Sequence, residues 1–413
     1  MTRYVIIGAG PAGLCAAEAI RVADREGMIA LFHGEPFGPY YRPALSHFFN
    51  GRIEEAELLA RPASWARLVN ARILHERVTR VDIAAREVIG EHGAREPFDR
   101  LLIAAGADPV KPPWPGADAG GVFTYRTHRC ARRIAEYLTA RGARRAVVAG
   151  GGILGVELAE NFVTKGLRTH LLVREARPLS LLFEESGAEL ILGRMEADGV
   201  NIHRGVGVAA INVREGRIES VALDNGETIA ADAAGVAIGA RPTAAFLEGS
   251  GIELSNGVVV DARLRTNVEG IFAAGDAAVI RSGAATIPCR TWLTAAWQGD
   301  RAGRNMAGAD EAFSEPVFFN ASHVYGFRYA VMGNFNPPPS PGITRARLNV
   351  PGGYSSVVTE HGALTGATLI GDLAPAWALR RAIEHGRVMD AERLDGADVG
   401  ALWRALGGEP RFL

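Results

Sequence analysis

A strand, a glycine-rich turn and a helix occur twice in this chain, and that repeated unit limits its fold more than any other feature. The first copy runs from Tyr4-Val5-Ile6-Ile7 through Gly8-Ala9-Gly10-Pro11-Ala12-Gly13 into the helix-forming residues 14–20. The second runs from Arg145-Ala146-Val147-Val148-Ala149 through Gly150-Gly151-Gly152-Ile153-Leu154-Gly155 into residues 156–163. With Gly at 50 of 413 positions, three glycines at this spacing arise by accident roughly once per chain, so the context carries the inference. In both copies the first Gly makes the tight turn, the second admits a pyrophosphate close to the backbone, and the third lets helix and strand pack closely. The helix N-terminus adds unpaired N–H groups and a positive dipole end. Each copy therefore reads as a dinucleotide-binding unit.

The rest of the chain fits a multidomain enzyme. Its 413 residues exceed the usual size of one hydrophobic core, and 48% apolar with 22% charged residues is an ordinary globular balance. Forty-five Lys and Arg against 46 acids give no broad field that would draw nucleic acid or an anionic membrane, although a local basic patch stays open. Met1-Thr2-Arg3 runs straight into the first strand, and no apolar run approaches the roughly 18 to 20 residues of a membrane span, so a cytoplasmic protein is expected. Cys15, Cys130 and Cys289 are too scattered for a CxxC pair, a zinc site or an iron-sulfur cluster, so no metal is expected in this chain.

Each unit offers charged residues for the adenosine ribose. Met28-Ile29-Ala30-Leu31-Phe32 reads as the second strand of the first unit, and Glu35 is the first acid beyond it. Glu35 is the candidate for the ribose hydroxyls, against the alternative of a solvated loop acid. In the second unit the strand 169–173 is followed by Arg174-Glu175. The Glu would accept from the 2′-hydroxyl of NADH, whereas the Arg would pair with the 2′-phosphate of NADPH. That choice stays open, with NADH slightly favoured because a lone Arg is a modest phosphate clamp.

Three further phrases lie at 98–106 (Phe-Asp-Arg-Leu-Leu-Ile-Ala-Ala-Gly), at 235–242 (Gly-Val-Ala-Ile-Gly-Ala-Arg-Pro) and at 266–277, ending Ala273-Ala274-Gly275-Asp276-Ala277. The ordered set of five resembles the two-dinucleotide-binding-domain flavoproteins over roughly residues 1 to 310. The resemblance implies an α/β chain with two Rossmann-like domains in a glutathione-reductase-like arrangement, the NAD(P)H domain inserted in the FAD domain, plus a small α+β C-terminal domain. The corresponding boundaries are 1–112 and 236–310 for FAD, 113–235 for NAD(P)H and 311–413 for the C-terminal domain.

The resemblance also implies site residues. For FAD these are Gly8, Gly10, Ala12, Gly13, Glu35, Arg42, Val78, Ala105, Gly106, Gly275, Asp276 and Trp292. Asp276 is expected against the ribityl or pyrophosphate part, at the start of a helix whose dipole faces the flavin. For NAD(P)H they are Gly150, Gly152, Ile153, Leu154, Gly155, Glu157, Arg174, Glu175 and Gly239, with Gly239 marking the crossing back. Glu157 resembles an acid that approaches nicotinamide and flavin, with an ordinary first-turn Glu as its alternative. Trp292 resembles a residue near the flavin rings, with a core tryptophan as its alternative.

Branches of this family that reduce disulfides carry Cys-x4-Cys after the first helix and strand. Here that stretch is Pro39-Tyr40-Tyr41-Arg42-Pro43-Ala44-Leu45-Ser46-His47, which resembles the ferredoxin, rubredoxin and nitrite reductase flavoproteins. His47 stands where many of these have Lys; it is a candidate flavin donor or a plain histidine. The implied activity is hydride transfer between nicotinamide and FAD, with electrons passing to or from a separate redox protein or an iron-sulfur subunit of a larger complex. The alternative is a stand-alone flavoenzyme that reduces a small molecule or oxygen, like an NAD(P)H oxidase or a nitrite reductase. Residues 345–350, 355–360 and 363–370 read as strands and 374–385 as a helix. They resemble the C-terminal domain that covers the flavin and commonly contributes to association in this branch.

Overall fold

The computed structural model describes residues 1–283, 285–289 and 291–407, which fall into two compact units. The first joins Met1–Val110 to Ala240–Glu315; the second joins Lys111–Gly239 to Pro316–Leu413, described as far as Gly407. The last six residues of the C-terminal segment lie outside the described residues.

In the first unit, five parallel strands stand in the order Ile271–Ala273, Arg100–Ile103, Arg3–Ile7, Met28–Phe32, Ala71–Leu74. Their apolar runs are continuous because both faces of a parallel sheet are covered. Helix Pro11–Ala23 starts with Pro, whose missing N–H costs nothing in a first turn. It crosses helix Trp292–Met306 at backbone distance. A Cβ on Gly299 would lie 2.1 Å from the Ala12 carbonyl oxygen, and one on Gly303 would lie 2.5 Å from that of Ala16. The sequence reading made no use of this Gly-x3-Gly spacing. A small antiparallel sheet of Val78–Asp82, Glu87–Gly90 and Arg95–Pro97 completes the unit.

One expectation is corrected here: Asp276 does not start a helix. It sits in a single 3₁₀ turn, Gly275–Ala277, and the chain continues as strand Ala278–Ser282, paired in parallel with Val258–Val260. Val279 and Ile280 are β-branched and fit a pleated ladder better than a helix. The helix begins only at Trp292, capped by the Thr291 hydroxyl, which accepts from the Thr294 N–H at 3.1 Å.

The second unit repeats the parallel pattern in the order Val200–Arg204, Arg168–Val173, Arg145–Ala149, Ala233–Val236, Val122–Thr124. A three-stranded antiparallel sheet, Val208–Arg214, Arg217–Leu223 and Thr228–Ala230, shares a core with it through Val147, Leu172, Val208 and Val221. The C-terminal part is a five-stranded antiparallel sheet whose own core closes under helix Ala376–Glu384. Its strands Ile343–Leu348, Tyr354–Glu360 and Ala363–Ile370 lie within two residues of the ranges read from sequence. The hairpin turn at Tyr325-Gly326 has positive φ at both residues, and the Tyr325 N–H donates to buried Glu160 of helix Ile153–Thr164 at 3.1 Å.

The helix crossing generates the first test. Gly299→Ala should cost about 1–3 kcal/mol of stability, because the methyl has nowhere to go. Gly193→Ala, in the exposed interior of helix Glu185–Ala197 with nothing within 4 Å of the new Cβ, should gain about 0.5–1 kcal/mol. Denaturant unfolding checks both, and a Gly299→Ala protein as stable as the parent would refute the close crossing.

Candidate functional site

The two glycine turns have the same internal logic. Gly8 is at φ 109° and Gly150 at φ 128°, and a Cβ on either would lie 2.2 Å from the carbonyl oxygen of Ala104 or Ala237, respectively. Gly13 and Gly155 face the carbonyl oxygens of Gly8 and Gly150 at 1.9 Å from the would-be Cβ. The protein's own packing therefore demands the first and third glycines. The middle glycines are different. Gly10 and Gly152 cap their helices at φ −76° and −77°, which any residue adopts, with no side-chain cap and nothing within 4 Å of an added Cβ. Among the described residues nothing requires Gly at these two positions. A pyrophosphate lying on the backbone does, and so the residues present fit a dinucleotide at each turn.

Around the first turn the strand ends bring distant segments together. Gly8 donates to the Phe32 carbonyl at 2.9 Å, Ala104 to that of Ile7 at 2.9 Å, and Ala274 to that of Ile103 at 3.1 Å. Ala105 and Gly106 follow at the same edge, Gly106 at φ 74°, and Val78 is buried at the start of its own strand. Gly275 donates to the buried Gln298 Oε1 at 2.8 Å, which fixes the turn bearing Asp276 to helix Trp292–Met306.

Glu35 does not stand alone. Arg42 Nη2 donates to its Oε1 at 2.7 Å, Tyr40 donates to its Oε2 at 2.8 Å, and Arg42 Nη1 donates to the Tyr40 hydroxyl at 2.7 Å. Burial works against both charges, yet Glu35 ends below the ordinary carboxylate value because Arg42 and Tyr40 outweigh it. Arg42 ends above its ordinary value through Tyr40 and Glu35, with Asp276 adding to them, so the Arg42 and Asp276 segments share one charge environment. Tyr41 packs edge-on against Trp292, ring centroids 5.0 Å apart. Tyr40 and Tyr41 were not singled out from the sequence; two aromatics flanking Arg42 were the available signal. His47 is half-buried on helix Leu45–Asn50, where its carbonyl accepts the N–H of Gly51.

Around the second turn, Ile153 and Leu154 open helix Ile153–Thr164, and Glu157 is half-buried in its second turn, past the reach of a first-turn dipole role. Burial, then Glu157, push the phenol of fully buried Tyr329 well up, which gives Glu157 a neighbour on the C-terminal sheet. Leu179, at φ 57°, donates to the Gly151 carbonyl at 2.7 Å and holds the turn from outside. Arg174 and Glu175 are both exposed, and Gly239 lies at φ 121° where the segment ends.

None of the three cysteines is in a disulfide: Cys289 is buried, and burial pushes the half-buried Cys15 thiol up. Among the described residues no group of His, Cys, Asp and Glu could hold a metal, and no helix is long and apolar enough to cross a membrane.

Two tandem dinucleotide cradles, one with a carboxylate-bearing turn closing over it, define a flavin- and nicotinamide-dependent oxidoreductase. The chain belongs to the pyridine nucleotide-disulphide oxidoreductase family, whose model matches residues 2–299. It is 32% identical over 280 residues to a rubredoxin-NAD(+) reductase of Pseudomonas putida, covering 67% of this chain and 72% of that one. It is 28% identical over 382 residues to the epsilon subunit of an NADH-dependent phenylglyoxylate dehydrogenase of Aromatoleum evansii, covering 88% and 87%. A ferredoxin reductase structure from Rhodopseudomonas palustris shares the fold, with TM-score 0.87 at 22% identity over 95% of this chain and 97% of that one.

The open middle glycines yield a direct test. Gly10→Val should leave the unfolding midpoint of FAD-free protein in place and weaken FAD binding by about tenfold or more. Gly152→Val should keep FAD and weaken NADH binding by a similar factor. Equal loss of both ligands in either variant would mean that the turns do not serve separate dinucleotides.

Proposed function

We propose that this chain oxidises NADH at the second unit and delivers the electrons, through FAD held by the first, to a separate one-electron redox protein or to an iron-sulfur subunit of a complex. The observation that carries this reading is the pair of open glycine turns, in a chain whose three cysteines are joined in no disulfide. FAD, when bound, accepts a hydride and releases electrons singly, which is the chemistry that links a two-electron donor to one-electron centres. The chain's own residues bind, orient and screen. The Gly8–Gly13 turn takes the pyrophosphate; Glu35 faces the adenosine ribose with its charge already steadied by Arg42; Asp276 takes the ribityl or pyrophosphate oxygens; Trp292, backed by Tyr41, packs against the rings. Glu157 orients the nicotinamide end, with Tyr329 behind it.

The named partners of the relatives support a protein acceptor, and one relative aligned over most of both chains is itself a subunit. Work in the cytoplasm on NADH, with the C-terminal sheet as an association surface, completes the reading. A small-molecule or oxygen-reducing flavoenzyme is the competing one.

Reducing the FAD-loaded protein with NADH under anaerobic conditions should bleach its visible absorbance. Reoxidation should then be about tenfold or more faster with an added rubredoxin or [2Fe–2S] ferredoxin than with air. Rapid turnover with oxygen and none with either protein would favour the competing reading.

A further inference from the structure

We infer that Asp224, which belongs to neither glycine turn, makes the second nucleotide site prefer a coenzyme with a free ribose 2′-hydroxyl by setting a carboxylate close to Arg174. This rests on reading that site as nicotinamide-binding, and it supplies the group that chooses between the two coenzymes.

Arg174 and Glu175 follow the strand Arg168–Val173, where a dinucleotide-binding chain meets the adenosine ribose, and by themselves they argue for opposite ligands. Gly207 breaks the tie. Its N–H donates to Asp224 Oδ1 at 2.9 Å and its carbonyl accepts the Asp224 N–H at 3.0 Å, so this acid is pinned by main chain and side chain together. A Cβ on Gly207 would lie 2.8 Å from Asp224 Oδ2, 3.1 Å from Arg174 Nε and 3.6 Å from Arg174 Cγ. The carboxylate and the guanidinium stem therefore flank one point, and only a residue without a side chain leaves room for both.

The arrangement is built from three segments. Val206 donates to the Val173 carbonyl at 3.1 Å and Gly205 to that of Glu175 at 3.3 Å, tying the 205–207 segment to the strand end. Asp224 arrives from the turn between Arg217–Leu223 and Thr228–Ala230. A 2′-phosphate is drawn by the Arg174 cation, and a fixed carboxylate close by offsets that attraction and repels the incoming anion. A ribose 2′-hydroxyl meets no such repulsion and is itself a donor to a carboxylate.

Asp224→Asn removes the charge and keeps an amide oxygen for the Gly207 N–H. In FAD-loaded protein with ferricyanide as acceptor, the NADPH to NADH ratio of kcat/KM should rise about tenfold or more. Calorimetry should show 2′,5′-ADP tightening by a similar factor relative to 5′-AMP. Glu175→Gln should move the ratio less than Asp224→Asn, and the reverse order would overturn the inference. Arg174→Ala gives a second test that does not depend on Asp224→Asn folding. If Asp224 offsets the attraction of Arg174, the loss of Arg174 lowers relative NADPH use by less than about threefold, whereas a loss of about tenfold or more would show an effective phosphate clamp and refute the idea. Wild-type protein that neither oxidises nor binds either coenzyme would refute the nicotinamide reading itself.

Discussion

The constraint on which the rest depends is the contact of backbone with backbone where strand passes into helix. At Gly8 and Gly150 the chain turns with positive φ against a neighbouring strand's carbonyl, and at Gly13 and Gly155 the helix presses back onto the turn. Each contact excludes even a methyl group, so the direction in which the helix leaves the sheet is fixed by the main chain rather than by side chains that could repack. A helix held this way aims its unpaired N–H groups past the ends of the parallel strands. In the first unit that edge collects Ala105, Gly106 and the turn bearing Asp276, and in the second it collects Arg174 and Glu175.

The first unit repeats the device in tertiary form. Helix Trp292–Met306 meets helix Pro11–Ala23 through Gly299 and Gly303 without intervening side chains, and Gln298, next to that seam, holds Gly275. Residues separated by nearly 300 positions are thereby fixed by two glycine-bare contacts, and one hydrogen bond ties the turn bearing Asp276 to the same helix. The apolar core beneath them supplies most of the folding free energy, but it is non-directional. Placement of Asp276 and Trp292 comes from the seam.

What was legible in the sequence was whatever follows from local pattern. Met28–Phe32 is a strand over the residues read from its apolar run, and both glycine turns sit between a parallel strand and a helix. The misplaced helix at Asp276 shows the limit, since the resemblance puts the carboxylate at the start of a helix and says nothing of the β-branched pair that follows it. Non-local charge pairing was not legible either. Glu35 was read as a lone ribose acid, yet it is held by Arg42 and Tyr40 from beyond a loop. Asp224 carried no signal at all, because in sequence it is an ordinary turn acid before Asn225 and Gly226.

The two units thus solve one electrostatic problem with opposite polarity. A nucleotide site must keep a charged group at the ribose without letting that charge dominate what binds. In the first unit the group is an acid, and an arginine seven residues on draws it below its ordinary range while a tyrosine bridges the two. In the second, on the reading proposed above, the group is Arg174, and the Asp224 carboxylate is set near it from a separate sheet across a glycine that leaves room for both side chains. In the first unit pairing fixes each side chain's geometry and reduces its net field, so what remains to select a ligand there is shape and hydrogen bonding. An oxidoreductase that holds one dinucleotide and exchanges another needs this separation of roles. On the proposed reading the backbone turns take the pyrophosphate that both ligands share, and the charges near the ribose decide between ligands that differ only there.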